Sequence, residues 1–129
     1  MIKYIYEMDY PLGQKRSYLE WVRAIAETLQ APGELRRLVS YDNIFSATPN
    51  RLVEFTFDSL ADAGKYFDRK EIGLIFQHEL PAHANNIKVR VVALRGDYSK
   101  DTMVAERQPA YLEHGPAHKE PESAYQEQL

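Results

Sequence analysis

The side chains of this sequence best suited to chemistry are Glu7, Tyr41, Glu54, His78 and Arg90. A carboxylate buried away from water holds its proton more tightly and can serve as a general base, a guanidinium can orient an anionic or enolate oxygen, and a phenol can donate a hydrogen bond to that oxygen. On this reading Glu7 or Glu54 is the base, Arg90 orients the substrate and Tyr41 donates to it. The competing reading is structural. Buried charges must pair or neutralise, so Glu7, Glu54 and Arg90, with Lys3 and Lys88 beside them, can equally form a satisfied network across a sheet or a subunit interface.

The histidines invite a metal reading that their spacing opposes. In His78-Glu79-Leu80-Pro81-Ala82-His83 the two imidazoles are five residues apart with a proline between them, whereas a zinc-binding helix needs a spacing of four to hold both on one face. His114 and His118 have that spacing, but Gly115-Pro116 between them opposes a helix. No metal is therefore expected. His78 reads most simply as a surface imidazole near a helix C-terminus, where a cation meets the negative end of the dipole. The chain has no cysteine, which excludes disulfides, thiolate nucleophiles and cysteine-ligated metals and fits a reducing compartment. No glycine-rich phosphate loop is present, and no cofactor is implied.

The elements that must position these residues follow from periodicity. Ile2 to Tyr10 alternates, with Ile2, Tyr4, Tyr6, Met8 and Tyr10 on one side and Lys3, Ile5, Glu7 and Asp9 on the other, which makes a strand ended by Pro11 and Gly13. Between Gln14 and Gln30 the period lengthens. Tyr18, Val22, Ile25 and Leu29 recur at helical spacing with Trp21 beside them, and Pro32-Gly33 closes the helix. Leu35 to Ala47 is rich in β-formers, Thr48-Pro49-Asn50 supplies a turn, and Arg51 to Phe57 alternates again, so the pair predicts a hairpin. Asp58-Ser59 can cap a second helical region carrying Leu60, Ala63 and Phe67, then Ile72, Ile75 and Phe76, with a bend near Asp68 to Gly73 and an end at Pro81. Ile87 to Leu94 predicts the last strand, and Val91-Val92-Ala93-Leu94 suggests burial on both faces.

The order βαββαβ places both helices on one face of a four-stranded antiparallel sheet, because parallel crossovers are right-handed. The opposite face then carries Ile5, Leu38 or its neighbours, Val92 and Leu94. An apolar surface of that extent calls for a partner sheet, and a homodimer is expected. Residues 1–98 form this domain. Residues 99–129 are polar, with three of the chain's seven prolines, and read as a C-terminal extension in which Met103 to Leu112 packs on the other subunit.

Composition bounds the rest. A chain of 129 residues with 44% hydrophobic and 27% charged residues is one globular domain's worth, without a membrane span or a signal-like N-terminus, so a soluble cytoplasmic protein is expected. A net charge of −3 argues against nucleic acid, which requires a basic face.

Residues 2 to about 98, and most clearly Asn50 to Leu60 followed by the helix through Tyr66, Phe67 and Phe76, resemble the dimeric α/β barrel superfamily in element order and hydrophobic pattern. The resemblance implies an α+β, ferredoxin-like fold and two sheets meeting in a barrel. It also implies a range of activities: cofactor-independent oxygenases of the antibiotic-biosynthesis type, isomerases, haem-degrading enzymes and stress-responsive proteins. Haem-degrading relatives carry a histidine late in the second helical region, which His78 matches, together with a first-strand asparagine and a helical tryptophan. Glu7 and Tyr66 or Phe67 stand near those two positions. The function expected is the binding of a small, partly apolar molecule, as an oxygenase or isomerase or as a non-catalytic ligand-binding dimer.

Overall fold

The computed structural model describes residues 1–45 and 47–100, together with the backbone of 103–104. It divides into two units, Met1–Val92 and Ala93–Leu129. In the first unit, β1 (Ile2–Asp9), β2 (Leu35–Asp42), β3 (Arg51–Phe57) and β4 (Asn85–Ala93) form one sheet in the order β2-β3-β1-β4. β1 and β2 both pair antiparallel with β3. The helices are α1 (Lys15–Gln30), α2 (Leu60–Asp68), α3 (Lys70–Leu74), a π-helical turn at Ile75–Glu79, and α4 (Leu80–His83). In the second unit β5 (Asp97–Tyr98) pairs with β6 (Met103–Val104). The proposed packing of Met103 to Leu112 on a second subunit, and both His114 and His118, lie outside the described residues.

The alternation read from β1 and β3 sets the core. Tyr6 and Met8 of β1 and Phe55 and Phe57 of β3 are buried against Tyr18, Ile25 and Leu29 of α1 and against Ala63, Tyr66, Ile72, Ile75 and Leu80 of the second helical region. The registers Tyr4↔Phe55 and Tyr6↔Val53 put these residues on one face of the sheet. Phe67 binds the layers, its ring lying 4.8 Å from Tyr4 and 5.5 to 5.9 Å from Phe55, Phe57 and Phe76. Such tilted and edge-on pairs add to simple area burial.

The structure agrees with the sequence reading in some places and departs from it in others, each for a local reason. A bulge between Leu35 and Arg37 shifts β2, so Leu38 pairs with Phe55 and joins the core, leaving Val39 and Tyr41 on the bare face. The second helical region bends where expected, at Arg69, whose backbone is extended (φ −63°, ψ 135°) and whose guanidinium forks Glu34 at 2.9 and 3.0 Å. Pro81 does not end that region. The Leu80 N–H bonds back to Ile75 O across the π turn, and Pro81 then falls in the first turn of α4, where a missing N–H costs nothing. Within the single chain, Val91 and Val92 are 50% and 41% exposed, so the two-sided burial expected for β4 is not provided by the chain's own described residues.

The far end of β1 is tied down by polar contacts. Asp9 is buried and accepts hydrogen bonds from the Thr48 hydroxyl (2.5 Å), the Asn50 backbone N–H (2.8 Å) and the Asn86 side-chain amide (3.0 Å). Asn86 has a φ of 51°, a left-handed conformation that asparagine tolerates. This cluster joins β1, the β2–β3 turn and the start of β4.

Candidate functional site

Where α1 crosses the sheet it leaves a cavity of about 200 Å³. Its wall is mostly apolar: Val22, Ile25 and Leu29 from α1, Leu38, Val53 and Phe55 from the sheet, and Ile75, Phe76 and Leu80 from the segment containing the π turn. Single-turn π insertions recur at functional sites because they re-aim side chains without breaking the helix. For scale, an engineered apolar cavity of about 150 Å³ holds benzene.

Polar groups also enter the wall: Tyr6, Tyr18, Gln30, Ser40 and Arg51. Arg51 opens β3 and its side chain is only 12% exposed. Nη1 donates to Asp42 Oδ1 at 2.8 Å, Nη2 donates to Ser40 Oγ at 3.2 Å, and Cζ stands 5.7 Å from the Tyr18 ring centre. Arg51 Nε is buried with no hydrogen-bond partner, the single such side-chain atom among the described residues. The Tyr18 hydroxyl donates weakly to Met8 Sδ at 3.5 Å. Burial pushes the Tyr6 phenol up to about 12, with Tyr4 adding to it, and burial raises Tyr18 as well, opposed by the neighbouring Arg51 charge. Both phenols therefore stay protonated near neutral pH and can act as donors, not bases.

On α1 at the cavity wall, Trp21 stacks on His83 with ring centres 4.6 Å apart and donates through Nε1 to Glu79 at 3.2 Å. This contact holds α1 to the end of the π turn and to α4.

The residues singled out from the sequence lie elsewhere. Glu7 accepts from Arg90 in an ion pair of 3.3 Å, and Glu54 from Lys3 at 3.2 Å, both on the sheet face opposite the helices, with the two carboxylates 16% and 21% exposed. Tyr41 pairs in register with Leu52 and is exposed on that same face. His78 is exposed on the π turn and does not line the cavity. The structure thus brings Glu7 together with Arg90, but places neither Tyr41 nor His78 beside them. Among the described residues no three potential ligands gather as a metal site. Arg51 was readable as an element boundary only. The signal that marks it is parity, since it shares a side of β3 with Val53, Phe55 and Phe57, where a charge is out of place.

A haem does not fit these residues. The cavity is little larger than one ring needs. His78 points outside it, Glu7 is paired on the opposite face, and the Tyr66 hydroxyl is committed to Leu29 O at 2.7 Å.

No protein-family model and no curated protein sequence matches the chain. Solved structures do. A DABB family protein with a ferredoxin-like fold from Mesorhizobium loti superposes with a TM-score of 0.62 at 9% identity, over 72% of this chain and 95% of its own. A protein from Deinococcus radiodurans described as a candidate antibiotic biosynthesis monooxygenase gives 0.61 at 8% identity, over 73% and 92%. A haem-degrading protein from Mycobacterium tuberculosis, solved with two haems in its active site, gives 0.62 at 10% identity, over 77% and 100%. At these identities the likeness concerns architecture, and the chain has the ferredoxin-like α+β fold that these proteins share.

Proposed function

We propose that this chain binds one compact, mainly apolar molecule of about the size of a substituted ring in the cavity under α1, and that it does so as a homodimer. The observation that carries the reading is the cavity itself, a mainly apolar space walled by Ile25, Phe55 and Phe76 with a few polar groups in its lining. The homodimer reading rests on the sheet face that no described helix covers, where Val92 is exposed. Because Glu7 and Glu54 are each engaged by a cation, a general-base role for either has no support in this arrangement, and binding is the simpler function.

The test is calorimetric titration of the purified chain with small aromatic probes such as ethylbenzene. Saturable one-to-one binding per subunit is expected. Ala26→Phe, which projects a ring into the same space, should abolish it while leaving the circular dichroism spectrum intact. If the variant binds as the natural chain does, the cavity is not the site.

A second reading, a cofactor-independent oxygenase, is favoured by the monooxygenase description of the Deinococcus radiodurans neighbour and by a guanidinium at the cavity wall able to steady an enolate or phenolate oxygen. Oxygen uptake in the presence of a small hydroquinone, dependent on Arg51, is its expected signature. Uptake no faster than in buffer rejects it.

A further inference from the structure

We propose that the end of the sheet where β1 runs out docks on an anionic lipid bilayer, with Leu12, Ile44 and Phe45 entering the interface and Lys15 and Arg16 meeting the lipid headgroups. The inference stands apart from the cavity reading. These three are the most exposed large apolar side chains among the described residues, at 96%, 80% and 95%. They belong to two loops that the structure ties together. In the first, the Gln14 N–H bonds Pro11 O at 3.0 Å and Gly13 takes a φ of 79°, a tight turn that leaves Leu12 on its corner. In the second, the Asn43 N–H bonds Asn50 O at 3.2 Å across the base of the loop that carries Ile44 and Phe45. Asn50 joins the two, its side chain accepting from the Tyr10 N–H at 3.1 Å and donating to Tyr10 O at 3.2 Å, and Lys15 meets Asp42 at 3.9 Å. A lone exposed leucine is ordinary, whereas three such side chains on one anchored end mark a contact surface.

Area and charge identify what covers them. Even at about 200 Å² for each side chain, an aromatic's worth, the tip offers about 600 Å², less than the roughly 800 Å² that each partner of a stable protein complex commits. A bilayer asks for no matching shape, and apolar side chains with cations behind them suit its headgroup boundary. The charged side chains that open α1 or flank the second loop are Lys15, Arg16 and Arg51, against Asp9 and Asp42. Asp9 is buried and Asp42 is bound by Arg51, while Arg16 is exposed and has no ion pair among the described residues. Cations therefore prevail at the surface of the tip. No helix of the described residues is long and apolar enough to cross a membrane, so the contact proposed is peripheral.

The test is sedimentation of the full chain with vesicles of phosphatidylcholine alone and of phosphatidylcholine mixed with phosphatidylglycerol. Binding should favour the mixed vesicles and weaken as salt is added. Ile44→Ser combined with Phe45→Ser should lower it roughly tenfold or more, and Arg16→Glu should lower it roughly fivefold on mixed vesicles and little on neutral ones. The chain lacks cysteine, so an environment-sensitive dye can be attached at a single position. On Leu12→Cys its emission should move to the blue when mixed vesicles are added, and on Glu27→Cys, exposed near the other end of α1, it should stay in place. This second readout decides the matter if the double serine variant fails to fold. Absence of sedimentation, equal binding to both kinds of vesicle, unchanged binding by the double variant, or equal dye shifts at the two positions would overturn the proposal. A double variant whose solution mass falls below that of the natural chain makes the tip a contact between copies, and overturns it too.

Discussion

A single carboxylate, that of Asp9, holds three segments distant in sequence. The Thr48 hydroxyl, then the Asn86 amide and the Asn50 backbone N–H, stabilise its charged form and hold the carboxyl below its ordinary range. The sign follows from linkage. A carboxyl whose folded value is depressed contributes stability that is fully present above the unfolded value, about 4, and is lost as the pH falls through the lower folded value. Asp9→Asn cannot accept at both oxygens and should cost about 1–3 kcal/mol in urea unfolding at neutral pH. The same substitution should flatten the fall in stability that the natural chain shows below about pH 4. An unchanged acid limb would place that dependence on other groups, such as Asp42 beside Arg51 and Glu34 beside Arg69, both of which are also held below the usual range by a hydrogen bond from their arginine.

Among the elements, α2 begins on a cap that was readable from its first residues. Ser59 is extended (φ −147°, ψ 164°) and its Oγ accepts from the Asp62 N–H at 3.1 Å. Ser59→Ala should lower stability by about 1 kcal/mol, and Ser59→Asp should keep most of it, measured as shifts in the urea midpoint. Strand parity was legible in the same way, since Tyr4, Tyr6, Phe55 and Phe57 needed only a count of two to be placed inward. What escaped depended on the third dimension. The bulge that turns Leu38 inward leaves no mark in composition, and Pro81 reads as a stop because a π turn upstream cannot be seen in a period of 3.6. The Asp9 cluster spans up to 77 residues of sequence. The cavity is legible only once α1 lies over the sheet, so the charged residues that drew notice in the sequence face away from it, while Arg51 entered the reading as the start of a strand.

For the whole molecule, the proposed assembly turns on the sheet face that no described helix covers. The proposed dimer predicts a solution mass of twice 15.0 kDa, and Ile5→Lys combined with Val92→Asp should shift it to the single-chain value without unfolding the subunit. A natural chain that sediments as a monomer rejects the assembly while leaving the cavity under α1 intact. The pairing of Lys3 with Glu54 and Glu7 with Arg90 bears on how two such faces would meet. A two-fold axis sets each patch against its own copy, so any unbalanced charge at the centre would confront its like. Because each acid here is already quenched by a base on the adjoining strand, the middle of the sheet arrives electrically silent, and Arg37 and Lys88 lie only on its outer strands. Cohesion of the pair would then be a matter of oily contact more than of Coulomb attraction, growing on mild warming and hardly responding to added electrolyte.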